Sequence, residues 1–295
     1  MSDLDAAFAV CRFVHDAAVI LVFGTGVFVA LLAPAALRDD LVRRLGPTLA
    51  AGALFACFGV LLWLPLQTAQ IFGNWIRAFD VSALIRVAQQ ISSGRVWQAR
   101  VLLTFALVVA AARPARIRVA SVTLLSGLLL VSLAFVGHAA SRGGAIGILE
   151  RLNQVLHLLA GGAWLGALIP LLLCLGMLSD PARARNAVTA LRRFSVAGHA
   201  AVVLVVATGL INVALILGRI PTVWTSPYQA LLAAKILAVT GMTGQAVVNR
   251  YLLVPKMKRG GARAIQAIRA GSLAEIVLGA ITLALVSVFG VLEPS

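Results

Sequence analysis

The chain has 295 residues, of which 61% are hydrophobic and 12% charged, with a mean hydropathy of +1.00 and a formal charge of +15. That balance excludes an ordinary soluble domain and points to a polytopic membrane protein. The excess of positive charge sits in short loops between apolar runs, as the positive-inside rule requires, so no exposed basic domain is left to bind nucleic acid. Cys11, Cys57 and Cys174 are widely spaced and form no CxxC, which argues against both a disulfide framework and a thiolate metal trap.

The N-terminus carries Asp3 and Asp5 where a secretory signal would carry Lys or Arg, and the apolar run behind it is too long for a signal core. The first segment is therefore expected to stay as a membrane helix. Crossing ~30 Å of hydrocarbon takes ~20 helical residues at 1.5 Å each. About eight runs come near that length: residues 8–33, 47–72, 96–112, 117–137, 151–178, 194–218, 227–254 and 267–292. The expected fold is an all-α bundle of about eight transmembrane helices. Between the second and third runs, Val81, Leu84, Ile85, Ala88 and Ile91 share one helical face, which predicts a short interfacial helix near residues 80–92.

Most of the 25 basic residues fall after the first, third, fifth and seventh runs, among them Arg43 and Arg44, Arg113, Arg192 and Arg193, and Lys256. This marks those loops as cytoplasmic and both termini as periplasmic in a bacterial inner membrane. Trp75, Trp97 and Trp224 then lie at the outer boundary, where an aromatic belt belongs. The chain also reads as two four-helix halves, residues 1–142 and 143–295, within one integrated membrane domain. His15 and His157 each precede a glycine, Gly24 or Gly166, by the same interval. Arg100 follows Gly94 at the interval by which Lys235 follows Gln229. Four helices per half make the repeat a parallel one.

Three charges fall inside apolar runs: Arg100, Lys235 and Glu275. Buried charge in a bilayer calls for a partner or a water-filled cavity, although the two basic stems can also reach the interface by snorkelling. Glu275 is too short for that, and a Lys235–Glu275 pair is compatible in depth. Of the four histidines, His15, His138 and His157 fall in the outer leaflet of this topology and His199 lies toward the opposite side. Cys11 and His15 are spaced i, i+4, so one helical face can offer two ligands to a metal ion. Asp16 and Glu150 supply carboxylates on the same side as weaker candidates. A single membrane histidine is more often an interhelical hydrogen-bonding residue; three at one depth point to a metal or proton site.

The stretches GHAAS from His138, HLLAGGAWLGAL from His157, RFSVAGHAAVVLVVATGLINVAL from Arg193 and YQALLAAKILAVTGMTGQAVVNRYLLVP from Tyr228 resemble, in that order, the copper resistance protein D family. A looser likeness in the first half rests on RFVHDAAVILVFGTGVF and GRVWQARVLL. The resemblance implies an eight-helix inner-membrane protein that moves copper between periplasm and cytoplasm, served by a periplasmic copper-binding protein. In some members that partner is fused to the chain; here Met1 precedes the first run by only a few residues, so a separate partner is expected. The resemblance also implies His138 and His157 as ligands, with His15 in the corresponding place of the first half, and it includes no match for His199. Copper, as Cu(I) or Cu(II), suits imidazole, and Cu(I) also suits sulfur. Met177, Met242 and Met257 do not reach the outer side, so no thioether ladder is expected there.

Gly161, Gly162 and Gly166 allow the fifth run to approach a neighbour closely, with Trp164 filling space beside them. Three functions remain open at this stage. The leading one is a copper-handling membrane protein that is not an enzyme and lacks an ATP-binding P-loop. The others are a copper sensor or assembly factor that binds without transporting, and a b-type cytochrome with paired histidines on haem.

Overall fold

The computed structural model describes residues 2–136, 143–218, 222–257, 262–290 and 292; their regular structure is all helical, with no strand among the described residues. The helices are α1 (Asp3–Val27), α2 (Ala35–Phe72), α3 (Val81–Gln90), α4 (Ser92–Ala111), α5 (Ala115–Ser132), α6 (Gly144–Gly166), α7 (Leu168–Gly176), α8 (Pro181–Leu217), α9 (Pro227–Val248), α10 (Val254–Met257) and α11 (Ala262–Phe289). Short π-helical turns follow α1 at Phe28–Leu32 and α9 at Asn249–Leu253. Together they make eight stretches long and apolar enough to cross a membrane, α6 and α7 sharing one of them. The side on which α1 begins and α11 ends is called here the terminal face. The side on which α2 and α8 begin, with their arginines, is the basic face.

Two elements differ in extent from the sequence reading. Helices α2 and α8 begin at Ala35 and Pro181, a few turns before the apolar runs at 47 and 194. Hydropathy reports contact with lipid, whereas the arginine-rich turns are helical because Arg and Ala favour helix regardless of solvent. Asp40 gathers Arg43, Arg44 and, across from α8, Arg183 at 3.2 to 3.5 Å. Helices α2 and α8 end alike on the terminal face, at Gly73 and Gly218 in the left-handed region, φ 63° and 66°, which a side chain would strain.

The expected short surface helix is α3. Asp80 caps it, accepting hydrogen bonds from the Ser82 hydroxyl, Arg77 and the Ala83 N–H, which hold its carboxyl down at about 2. The face turned to the protein is Ala83 and Val87, however, while Val81 and Ile85 stay exposed for lipid. Trp75 and Trp224 are exposed near the terminal face, as a belt requires. Trp97 instead turns inward, its indole N–H donating to Val60 O at 2.7 Å.

Helices α1 and α6 cross at Gly24, Gly162 and Gly166. A Cβ on Gly166 would strike Ile20 O and stand 2.9 Å from Gly24 Cα. Pro170 has no N–H to give Gly166, so that carbonyl is free of its helical bond and accepts from Thr25 Oγ1 at 3.3 Å. Around this crossing the first half is a closed ring: α1 packs on α2 and α5, and α4 packs on α2 and α5. In the second half α6 pairs with α8 and α9 with α11, yet α8 and α9 scarcely touch.

Candidate functional site

His15 is fully buried on α1 against α2, where Gly59 has no side chain to obstruct it: a Cβ there would lie 2.7 Å from His15 Cβ. Its Nδ1 lies 2.8 Å from Ala56 O, a carbonyl that can only accept, so Nδ1 carries the proton and Nε2 the lone pair. Nε2 has no hydrogen-bond partner among the described residues. The ring meets Trp63 edge-on, with centroids 6.1 Å apart, and the Arg100 guanidinium lies over the same indole at 4.1 Å. Arg100 is 1% exposed, so it does not snorkel. Asp16 is within electrostatic reach of Arg100 and of Arg12 one turn earlier.

His157 repeats the arrangement on α6 against α8. Its Nδ1 lies 2.9 Å from Thr208 Oγ1, and that hydroxyl spends its hydrogen on Leu204 O at 2.5 Å. Thr208 therefore accepts from the imidazole, and Nε2 again holds the lone pair. A polar seam continues toward the terminal face: Asn153 donates to Thr208 O and to Asn212 Oδ1, each at 2.9 Å, and Asn212 donates to Gln154 Oε1 at 2.9 Å. Lys235 acts on His157 electrostatically from α9. A cavity of about 310 Å³ lies beside it, lined by Arg12, Asp16, Gln67, Gln154, Asn212 and Lys235.

The expected site residues are only partly brought together. His15 and His157 sit on the terminal-face side of the Gly24–Gly166 crossing, but the first ring bonds α2 and the second bonds α8. His138 lies outside the described residues. Cys11 does share the α2-facing surface with His15, its thiol donating to Gly59 O at 3.2 Å. Asp16 lines the cavity, whereas Glu150 is buried on α6 two turns before His157. Among the described residues no cluster of three or more His, Cys, Asp and Glu side chains is assembled as a metal would need. His199 is apart from all of these, 3.1 Å from the Tyr251 hydroxyl.

The expected Lys235–Glu275 pair does not form. Lys235 Nζ lies 5.8 Å from the Phe289 ring centroid, while Glu275 accepts from Asn249 Nδ2 at 2.9 Å. The stretch of α11 from Glu275 to Phe289 rises about 21 Å at 1.5 Å per residue, far beyond a lysine's reach. Depth along two antiparallel helices was the wrong guide, because both residues could be central in sequence and still lie at different levels.

Sequence reasoning passed over Arg12, Trp63 and the amide seam. A signal for the seam was available: Asn153 with His157 on α6, and Thr208 with Asn212 on α8, are both i, i+4 pairs on one face.

Eight apolar helices among the described residues, around a buried imidazole, intramembrane cations and a cavity with polar groups in its wall, define a polytopic helical membrane protein. The chain belongs to the copper resistance protein D family. Residues 1–148 match "Copper resistance protein D-like, N-terminal domain" and residues 188–289 match "Copper resistance protein D". It is 31% identical over 283 residues to "Inner membrane protein YebZ" of Escherichia coli (strain K12), covering 96% of this chain and 97% of that one. To "Copper resistance protein D" of Pseudomonas syringae pv. tomato it is 28% identical over 299 residues, covering 96% and 95%. To "Copper transport protein CutJ" of Bacillus subtilis (strain 168) it is 30% identical over 255 residues, 82% of this chain and 46% of that protein. No solved structure matches the chain.

Proposed function

We propose that this protein moves copper between periplasm and cytoplasm across a bacterial inner membrane, engaging it at histidines near the terminal face. Similarity to proteins named for copper resistance, for copper transport and for the inner membrane supports the setting. The observation that carries the reading is the shared arrangement of His15 and His157: each sets its Nδ1 against a neighbouring acceptor, Ala56 O or Thr208 Oγ1, which puts the lone pair on Nε2, and His15 Nε2 has no hydrogen-bond partner among the described residues. That is how a histidine is prepared for a metal, the hydrogen bond setting both tautomer and ring direction. Copper is cargo here, as Cu(I) or Cu(II), and the resemblance to the family adds His138 as a further candidate ligand.

The terminal face is read as periplasmic from the bias of Lys and Arg to the other side. A separate periplasmic copper-binding protein would deliver the ion there. Two four-helix halves, residues 1–142 and 143–295, are supported by the matching α2 and α8, 38 and 37 residues long and each ended by a left-handed glycine.

The test is copper stoichiometry of the purified protein and copper-dependent growth for His15→Ala, His138→Ala, His157→Ala and His199→Ala, each alone. The first three should lose binding in whole or part, more steeply at lower pH where imidazole protonates; His199→Ala should keep it. Wild-type stoichiometry and growth in His157→Ala would overturn the site. Binding without copper flux into proteoliposomes would make the protein a sensor or assembly factor.

A further inference from the structure

Two cavities open on the space that α8 and α9 leave between them. The first, which α1 and α2 also wall with Arg12, Asp16 and Trp63, is lined by Lys235 and by Gly209, the glycine against His157. The second, about 290 Å³, lies toward the basic face and is walled largely by apolar side chains, with Glu275, Asn249, Arg250 and His199 among its polar members. Glu275 is the one acidic residue on that wall, held by Asn249 and by the Trp164 indole.

The two cavities are stacked in the same order on each helix that lines both. Along α6, Leu158 lines the first and Trp164 the second, with Ala160 between. Along α8, Gly209 lines the first and Val203 the second, with Val205 between. Along α9, Lys235 lines the first and Thr243 the second, with Val239 and Met242 between. Along α11, Val286 lines the first and Glu275 the second, with Leu278 between. These intervening residues form one cluster: Ala160, Val205 and Met242 are buried together with Trp164, and Val239 and Leu278 pack against them. At 1.5 Å per residue the plug is about 9 Å thick along α8 and about 12 Å along α9. Its only atom with affinity for a metal, among the described residues, is the Met242 sulfur, a soft ligand matched to Cu(I) and indifferent to hard cations.

We propose that copper crosses through the seam between α8 and α9, which the Val205–Met242 plug holds shut between the Lys235 cavity and the Glu275 cavity. This rests on the transport reading above. The seam is the place where consecutive spans are unpaired, and the corresponding α2–α4 contact of the first half is closed.

The test uses the full-length protein in proteoliposomes, with Cu(I) outside and a copper-sensitive dye inside. Val205→Ala, which widens the plug and leaves the sulfur in place, should raise copper entry several-fold, and Val205→Phe should abolish it. Val60→Ala, on the closed α2–α4 contact, should leave entry unchanged. Unchanged entry in both Val205 variants, with wild type active, overturns the route and leaves transport standing. A wild type that binds copper and carries none overturns transport, and labelling then decides the seam. Gly209→Cys and Gly198→Cys have room for a side chain, with nearest atoms at 3.5 Å and 3.8 Å, and the native cysteines are buried. A membrane-impermeant thiol reagent should reach the first from the terminal face only and the second from the basic face only. Reaction of both from one face, or of neither, overturns the seam.

Discussion

The two halves place a histidine at the same interval from the same helix crossing and then diverge in how tightly they close around it. In the first half α2 packs on both α1 and α4, and 44% of its apolar window is buried; for α8, its counterpart, the figure is 11%. Trp63 accounts for much of the difference. It stands one turn beyond Gly59, the glycine against His15, and fills the space under Arg100. One turn beyond Gly209, the glycine against His157, stands Val213, and beside it lies the polar cavity that Lys235 enters. A second indole, Trp97, bonds α4 to α2. Two tryptophans thus tie α2 to its neighbours in the first half, Trp63 also lining one side of the cavity, whereas Val213 leaves α8 loosely held on the other side.

The sharpest break of this comparison is at the cations. Arg100→Met removes a fully buried guanidinium and leaves Asp16 with less compensation, so it should cost about 3–5 kcal/mol in thermal unfolding in detergent. Lys235→Met, in the half-open cavity, should change stability by no more than about 1 kcal/mol. Equal losses would show that the second half is as closed as the first.

A smaller effect is expected at the crossing that joins the halves. Gly166→Ala forces a methyl into Ile20 O and Gly24 and should cost about 1–3 kcal/mol. Gly161→Ala, whose nearest neighbour is Val205 Cγ2 at 3.8 Å, should be neutral or stabilising, because alanine is the better helix former by about 1 kcal/mol. Loss of stability at Gly161 equal to that at Gly166 would place the crossing elsewhere. The smallest shift belongs to Val213→Trp, which gives the second half the indole of the first. It should raise the melting temperature, with a gain of about 0.5–2 kcal/mol from filling the cavity, and slow copper entry. A lower melting temperature would mean that the void is not the counterpart of the Trp63 site.

Much of the architecture was legible before any coordinates. An apolar run long enough for the bilayer can satisfy its backbone only as a helix, so eight runs meant eight helices. The His15–Gly24 and His157–Gly166 intervals were legible for a related reason: a glycine crossing is a local property of each helix, and an imidazole at a set distance from it keeps its level. Asp40, and Asp180, which caps α8 by accepting from the Ala182 N–H, were not recognised as anchors of the first turns of α2 and α8, because hydropathy is blind to helices that continue past the membrane.

The partners of the polar side chains were decided by the tertiary structure alone. Composition could say that Arg100, Lys235 and Glu275 each needed a neighbour, since a charge in hydrocarbon is costly whatever surrounds it. It could not say that Arg100 lies on Trp63, that Lys235 faces Phe289 or that Glu275 takes Asn249, because those contacts depend on how helices rotate and slide against one another. Helix length, number and charge bias follow from the bilayer acting on each segment separately. Closure of the first half, and the opening between α8 and α9, arise from side-chain shape where helices distant in sequence meet.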